Sequence, residues 1–110
     1  MHYYDSKKPQ ENIERIRSLV PRADIYNQLA EEASELAQCA NKMARAIRGT
    51  NPTPKSEEAV MRELIEEYTD VINVAYNVLE LRPDWLIADY KLHRWKKRLE
   101  EKECRKIIRD

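Results

Sequence analysis

The stretch Asp24 to Arg48, DIYNQLAEEASELAQCANKMARAIR, decides how this chain folds. It holds neither proline nor glycine, and Ile25, Leu29, Ala33, Leu36, Ala40, Met43 and Ile47 recur at spacings of three and four, so it reads as one long amphipathic helix. Asp24 is its expected N-cap, and Gly49, the chain's one glycine, stands where a left-handed residue ends a helix. Glu32 falls inside the apolar stripe. At roughly 100° per residue, Glu35 lies about 60° further round on the flank of that face, while Glu31 points nearly opposite, into solvent.

Working outward, GTNPTPKS (49–56) reads as a connecting loop, and the helical pattern resumes at Ser56 or Glu57 and continues to Leu81. Its stripe is Val60, Leu64, Tyr68, Val71, Ala75, Val78 and Leu79. Glu67 sits within that stripe, Asp70 lies about 60° to its side, and Glu66 points outward as Glu31 does. Glu63 and Asn77 extend the polar edge. The pairs Glu32/Glu35 and Glu67/Asp70 have the same phase on their helices, so packing the two faces together converges four carboxylates.

In a chain with 36% charged residues, a helical glutamate is ordinarily solvated or half of an i,i+4 ion pair. Glu32 and Glu67 depart from that pattern, because each interrupts an apolar stripe and has an acidic partner three residues on. Converging carboxylates repel one another and are costly to bury, so they need protons or a cation. A purely oxygen donor set, without histidine or cysteine, favours Mg²⁺ or Mn²⁺. His2 and His93 fall at no ligand spacing from these residues and read as surface groups.

The flanks complete an all-α reading. A tail, Met1 to Lys8, precedes a short helix over Pro9 to Val20, whose apolar edge is Ile13, Ile16, Leu19 and Val20 and which Pro21 ends. Arg82-Pro83-Asp84 interrupts the pattern again, and Asp84 can cap a last helix from Trp85 that carries Ala88, Leu92, Trp95 and Leu99 before turning mostly charged. Lys91, Arg94 and Arg98 follow one of its faces at i, i+3 and i+7 and are candidates for gripping phosphate. Trp85, Trp95, Tyr68 and Tyr76 are available for stacking on a base, though aromatics at helical spacing ordinarily serve core or interface packing. With 110 residues, one glycine and no phenylalanine, the expectation is one domain over 9–110: two long antiparallel central helices with lesser helices at each end, completed by a homodimer or homotetramer.

Twenty basic and twenty acidic residues cancel, which argues against a polynucleotide or an anionic membrane surface as partner. The sequence has no secretory signal or apolar run of membrane-spanning length, so a cytoplasmic setting is expected, with Cys39 and Cys104 as free thiols and Cys39 a small buried hydrophobe.

At its paired carboxylates the sequence resembles the all-α nucleoside triphosphate pyrophosphohydrolases, the group of MazG-like proteins, dCTP pyrophosphatases and dimeric dUTPases. Their E-E-x-x-E followed on the next helix by E-x-x-D is matched by Glu31-Glu32-Ala33-Ser34-Glu35 and Glu67-Tyr68-Thr69-Asp70. The similarity spans roughly Asp24 to Leu81. The spacer between the motifs is longer than is usual in MazG-like members, and the proline-containing loop absorbs the excess. The resemblance implies Glu32, Glu35, Glu67 and Asp70 as magnesium ligands, with hydrolysis of a (d)NTP between its α- and β-phosphates. Glu32 or Glu35 would take the proton from water, basic residues of the last helix (Lys91, Arg94, Arg98) would meet the phosphates, and Asn77 would meet sugar or base.

Two other classes bear comparison. Di-iron bundles also converge carboxylates, but they draw on Glu-x-x-His, and here the i+3 partners are Glu35 and Asp70. A non-enzymatic helical interaction or nucleic-acid-binding module would use the basic last helix and would leave the inward glutamates without a role.

Overall fold

The computed structural model describes residues 9–109, and over them the chain is all-α. The expected tail, Met1 to Lys8, lies outside the described residues, and His2 with it. Four helices follow one another: α1 (Pro9–Leu19), α2 (Arg22–Arg48), α3 (Glu57–Ile72) and α4 (Trp85–Arg109), with a π-helical segment, Asn73–Val78, prolonging α3.

The caps explain most boundaries. Gly49 adopts a φ of 74°, and the Thr50 N–H beyond it reaches back to the Arg45 carbonyl at 3.0 Å, closing α2 with the left-handed turn that glycine permits. The Ser56 hydroxyl accepts from the Ala59 N–H at 3.1 Å and opens α3. Asp84 Oδ1 accepts from both Leu86 and Ile87 N–H at 3.1 Å and opens α4. One expected cap is corrected: α2 starts at Arg22, not after Asp24. Pro21 both stops α1 and starts α2, its carbonyl accepting from the N–H groups of Asp24 (2.9 Å) and Ile25 (3.2 Å). Asp24 is a first-turn residue whose carboxylate meets the positive end of the helix dipole.

The packing of α2 on α3 also differs from the expected stripes, in an instructive way. The buried and half-buried positions of α2 include Ile25, Leu29, Glu32, Leu36, Cys39, Met43 and Ala46; those of α3 and the π segment include Val60, Leu64, Glu67, Val71, Val74 and Val78. Both sets alternate steps of four and three, the 3.5-residue repeat of a coiled-coil seam. A stripe drawn at 3.6 residues per turn drifts by about 20° per heptad from such a seam. That is why Ala33, Ala40, Ile47 and Tyr68, expected to face inward, are exposed, Ile47 by 61% and Tyr68 by 57%. Val60 is the most deeply buried side chain, with Ile25, Cys39 and Val78 completing the small core among the described residues.

The second correction concerns the end of α3, expected to run α-helical to Leu81. From Asn73 the turns widen, the Leu79 N–H bonding to the Val74 carbonyl at 2.9 Å, and the chain leaves the helix at Glu80 with a left-handed φ of 57°. Hydrophobic spacing does not distinguish a π turn from an α turn. The freed carbonyls are taken by α1: the Arg17 guanidinium donates from Nε to Val78 O (2.8 Å) and from Nη2 to Asn77 O (3.1 Å), and it pairs with Glu80 at 3.0 Å. This clamp seats α1 against the π segment, which in turn packs on α2.

Among the described residues α4 has no helix packed along it. The radius of gyration is 19.2 Å, well above the roughly 13 Å of a compact chain of about this length. Trp85, Leu86, Tyr90, Leu92 and Trp95 are exposed in consequence. No helix among the described residues is long and apolar enough to cross a membrane.

Replacing Arg17 with alanine strips two π-segment carbonyls of their donor and Glu80 of its counter-ion. We expect a loss of about 1–3 kcal/mol in urea denaturation. Amide exchange should accelerate in 9–19 and 73–80 while the α2–α3 seam stays protected; unchanged exchange in those segments would contradict the clamp.

Candidate metal centre

Glu32 and Glu67 occupy seam positions, so the packing that joins α2 to α3 carries both carboxylates into the interface, half-buried. Glu35, one turn on from Glu32, is exposed at the flank. One oxygen from each of Glu32, Glu35 and Glu67 lies within 4.8 Å of the other two. Three of the four carboxylates expected to converge are therefore together. Asp70 is exposed on the next turn of α3 and stands outside this group. Glu31 and Glu66 are exposed, as their phase predicted.

The bonding of the cluster is incomplete. Gln28 Nε2 donates to Glu32 Oε1 at 2.8 Å. Glu32 Oε2 and Glu67 Oε2 are buried without any hydrogen-bond partner. A buried carboxylate oxygen lacking a donor is costly, and two beside a third carboxylate are worse. The Glu35 carboxyl is pushed above the usual carboxylate range, first by the charge of Glu32, then by desolvation, by Glu67 and by a side-chain hydrogen bond with Glu32 that its protonated form makes. An all-oxygen, anionic donor set with two orphaned oxygens fits a hard divalent cation such as Mg²⁺ or Mn²⁺.

Glu63 is excluded from that donor set by its own partners. Lys42 Nζ binds its Oε2 at 2.8 Å and Lys55 Nζ its Oε1 at 2.5 Å, and these bonds hold its carboxyl down at about 2. Cys39 is buried, and burial followed by Glu63 and Glu67 pushes its thiol upward, so it is a packing residue and not a nucleophile. Cys104 is exposed, and both thiols are free, as expected.

Two concavities adjoin the cluster. An open groove of about 480 Å³ is lined by Glu35, Glu66 and Glu67 together with Gln38, Lys42 and Arg45. A mostly apolar cleft of about 360 Å³ lies between α1, α2 and the π segment, lined by Ile16, Val20, Ile25 and Val78, with Gln28 and Asn73 supplying amides. Gln28 therefore belongs to this cleft and to the cluster at once.

The other expected site residues are placed elsewhere. Asn77 is half-buried; its Nδ2 donates to Asn73 Oδ1 at 2.9 Å, and it lines a crevice against α1 with Asn12, Ile13 and Ile16. Lys91, Arg94 and Arg98 are exposed on α4 and do not line the groove, and Arg94 lies over the Tyr90 ring at 5.8 Å. Tyr76 carries the Arg82 guanidinium on its ring at 3.6 Å. Gln28, Gln38, Lys42 and Arg45 were not singled out from sequence, although their spacings from Glu32 and Glu35 (four before; three, seven and ten after) follow the same helix face.

The chain matches no family model, no curated protein and no solved structure.

The raised Glu35 carboxyl gives the cluster a defined pH signature. A folded-state value above the unfolded one means the penalty is absent below the ordinary glutamate value of about 4.3 and present once pH passes the folded value. Glu63 has the opposite sign: its contribution is present above that ordinary value and fades as pH falls toward about 2. Saturating Mg²⁺ should raise the thermal midpoint by about 5 °C at pH 7.5 and by clearly less at pH 5. Glu67→Gln should raise the metal-free midpoint and abolish the Mg²⁺ increment. An equal increment in wild type and variant, read by scanning calorimetry, would contradict the cation reading.

Proposed function

We propose that this protein is a magnesium-dependent nucleoside triphosphate pyrophosphohydrolase of the MazG-like kind, acting in the cytoplasm on a (d)NTP to release (d)NMP and pyrophosphate. The observation that carries this reading is the pair of orphaned oxygens on Glu32 and Glu67, gathered with Glu35 at the α2–α3 seam. These three are among the four residues that the sequence resemblance names as ligands, and Asp70 is the fourth that it implies.

Glu32, Glu35 and Glu67 would hold Mg²⁺, which would neutralise phosphate charge and lower the pKa of water there. The chain's own groups supply position and proton transfer. Glu32 is half-buried and already accepts the Gln28 amide, whereas Glu35 is exposed on the open groove, where water enters. Glu35 is therefore the group that takes the proton of the attacking water. The water oxygen joins the α-phosphorus, the α–β bridging bond breaks, and its oxygen departs with pyrophosphate. The apolar cleft beside Glu32 suits the nucleoside end, with the amides of Gln28 and Asn73 offered to the base and Asn77 close by on the π segment.

Assembly belongs to the same reading. An amphipathic α4 with its aromatic residues exposed is covered when another copy packs against it, giving a homodimer or homotetramer. Lys91, Arg94 and Arg98 would then approach the phosphates of a neighbouring site. The competing reading, a non-enzymatic interaction or nucleic-acid-binding module, draws on the exposed basic face of α4 and leaves the orphaned seam oxygens without a role.

Incubation of purified protein and Mg²⁺ with a panel of NTPs and dNTPs should yield monophosphate and pyrophosphate without orthophosphate. Glu67→Gln should lower kcat by roughly 100-fold or more while the circular dichroism spectrum stays helical. Orthophosphate as the product, or full activity in Glu67→Gln, would overturn the proposal.

A further inference from the structure

We infer that Gln38, Lys42 and Arg45, on the groove side of α2, hold the terminal phosphates of the triphosphate and then the pyrophosphate product. This rests on the hydrolase reading above. The three residues follow Glu35 at i+3, i+7 and i+10 and line the same groove of about 480 Å³ as Glu35 and Glu67. By the helical rise, Lys42 and Arg45 sit roughly 10 and 15 Å beyond Glu35 along the axis. Helical side chains lean toward the N-terminus, the direction in which Glu35 lies from both residues.

Arg45 has no ion-pair partner among the described residues, which leaves its guanidinium fork uncommitted. Lys42 is committed only in part. Glu63, its partner, is also bound by Lys55 at 2.5 Å, so Glu63 keeps a counter-ion when Lys42 turns to phosphate. Gln38 adds a neutral amide donor between Glu35 and Lys42 along the helix. The α4 cations line no part of this groove, so within one protomer the α2 residues are the ones placed to meet an anion there.

The groove is not a simple basic patch. Glu35, Glu66 and Glu67 line it too and repel an anion until a divalent cation balances them, whereas Glu63 is already paired with lysine. Pyrophosphate binding should therefore require Mg²⁺, unlike binding to a solvated cluster of lysines.

Titration calorimetry with inorganic pyrophosphate tests the inference directly. In Mg²⁺, Arg45→Ala should weaken binding about tenfold or more and Arg45→Lys less, while Arg48→Ala, the same charge lost one turn further on and outside the groove, leaves it unchanged. Lys42→Met should weaken it as well, and chelation of the metal should abolish it. During turnover, Arg45→Ala should raise KM and relieve inhibition by added pyrophosphate, with kcat little altered. Wild-type affinity in Arg45→Ala, or an equal loss in Arg48→Ala, would overturn the inference while wild-type release of pyrophosphate from a dNTP left the hydrolase reading standing. A wild type that releases no pyrophosphate from any (d)NTP would sink that reading and this inference with it.

Discussion

The packing of α2 on α3 depends on a heptad seam in which two positions that ordinarily hold aliphatic side chains hold glutamates. Glu32 lies between Leu29 and Leu36, and Glu67 between Leu64 and Val71, so the aliphatic contacts that join the helices also desolvate the acids. Each leaves one buried oxygen without a donor, and Glu35 adds a third carboxylate at the open edge. A chain that folds by burying these acids needs a cation or protons to relieve them, and the proposed chemistry grows from that requirement.

The surroundings separate the carboxylates by role. Glu63, only one turn from Glu67, is neutralised by Lys42 and Lys55, and its carboxyl is held at about 2. Glu35 has no such partner and is pushed the other way by Glu32. Two acids on facing helices thus differ because one is bracketed by ammonium groups and the other by carboxylates. Arg17 contributes at a distance: by taking up the carbonyls of Asn77 and Val78 it fixes the π segment against α1, beside the apolar cleft that Gln28 lines.

Helix identity, the Gly49, Ser56 and Asp84 boundaries and the inward phase of Glu32 and Glu67 were legible in the sequence, because capping chemistry and apolar spacing are local properties. The seam's 3.5-residue repeat is not legible in the same way, because apolar residues fit a 3.6-residue period nearly as well. An apolar stripe drawn for a straight helix places Tyr68 and Ile47 inside, whereas the seam's shorter repeat turns Ala46 and Val74 inward and leaves Tyr68 and Ile47 outside. The π segment was invisible for a related reason: its widened turns are held by Arg17 from another helix, a tertiary bond with no trace in the periodicity of 73–78. The same holds for the Lys42–Glu63–Lys55 bridge, which joins α2, the loop and α3. Asp70 had the right spacing for the cluster but is exposed outside it, so helical phase alone overstated the convergence.

The exposed apolar face of α4 is proposed to meet another copy of the chain, and the unpartnered oxygens of the acidic seam are proposed to hold a cation. The second is the central claim, and uptake of Mn²⁺ followed through loss of the free-ion electron paramagnetic resonance signal reads it most directly. Saturable binding by the wild type at pH 7.5, competed by Mg²⁺ and lost when both Glu32 and Glu67 become glutamine, is the predicted result. Absence of saturable uptake, or uptake that survives the double substitution, would contradict the account.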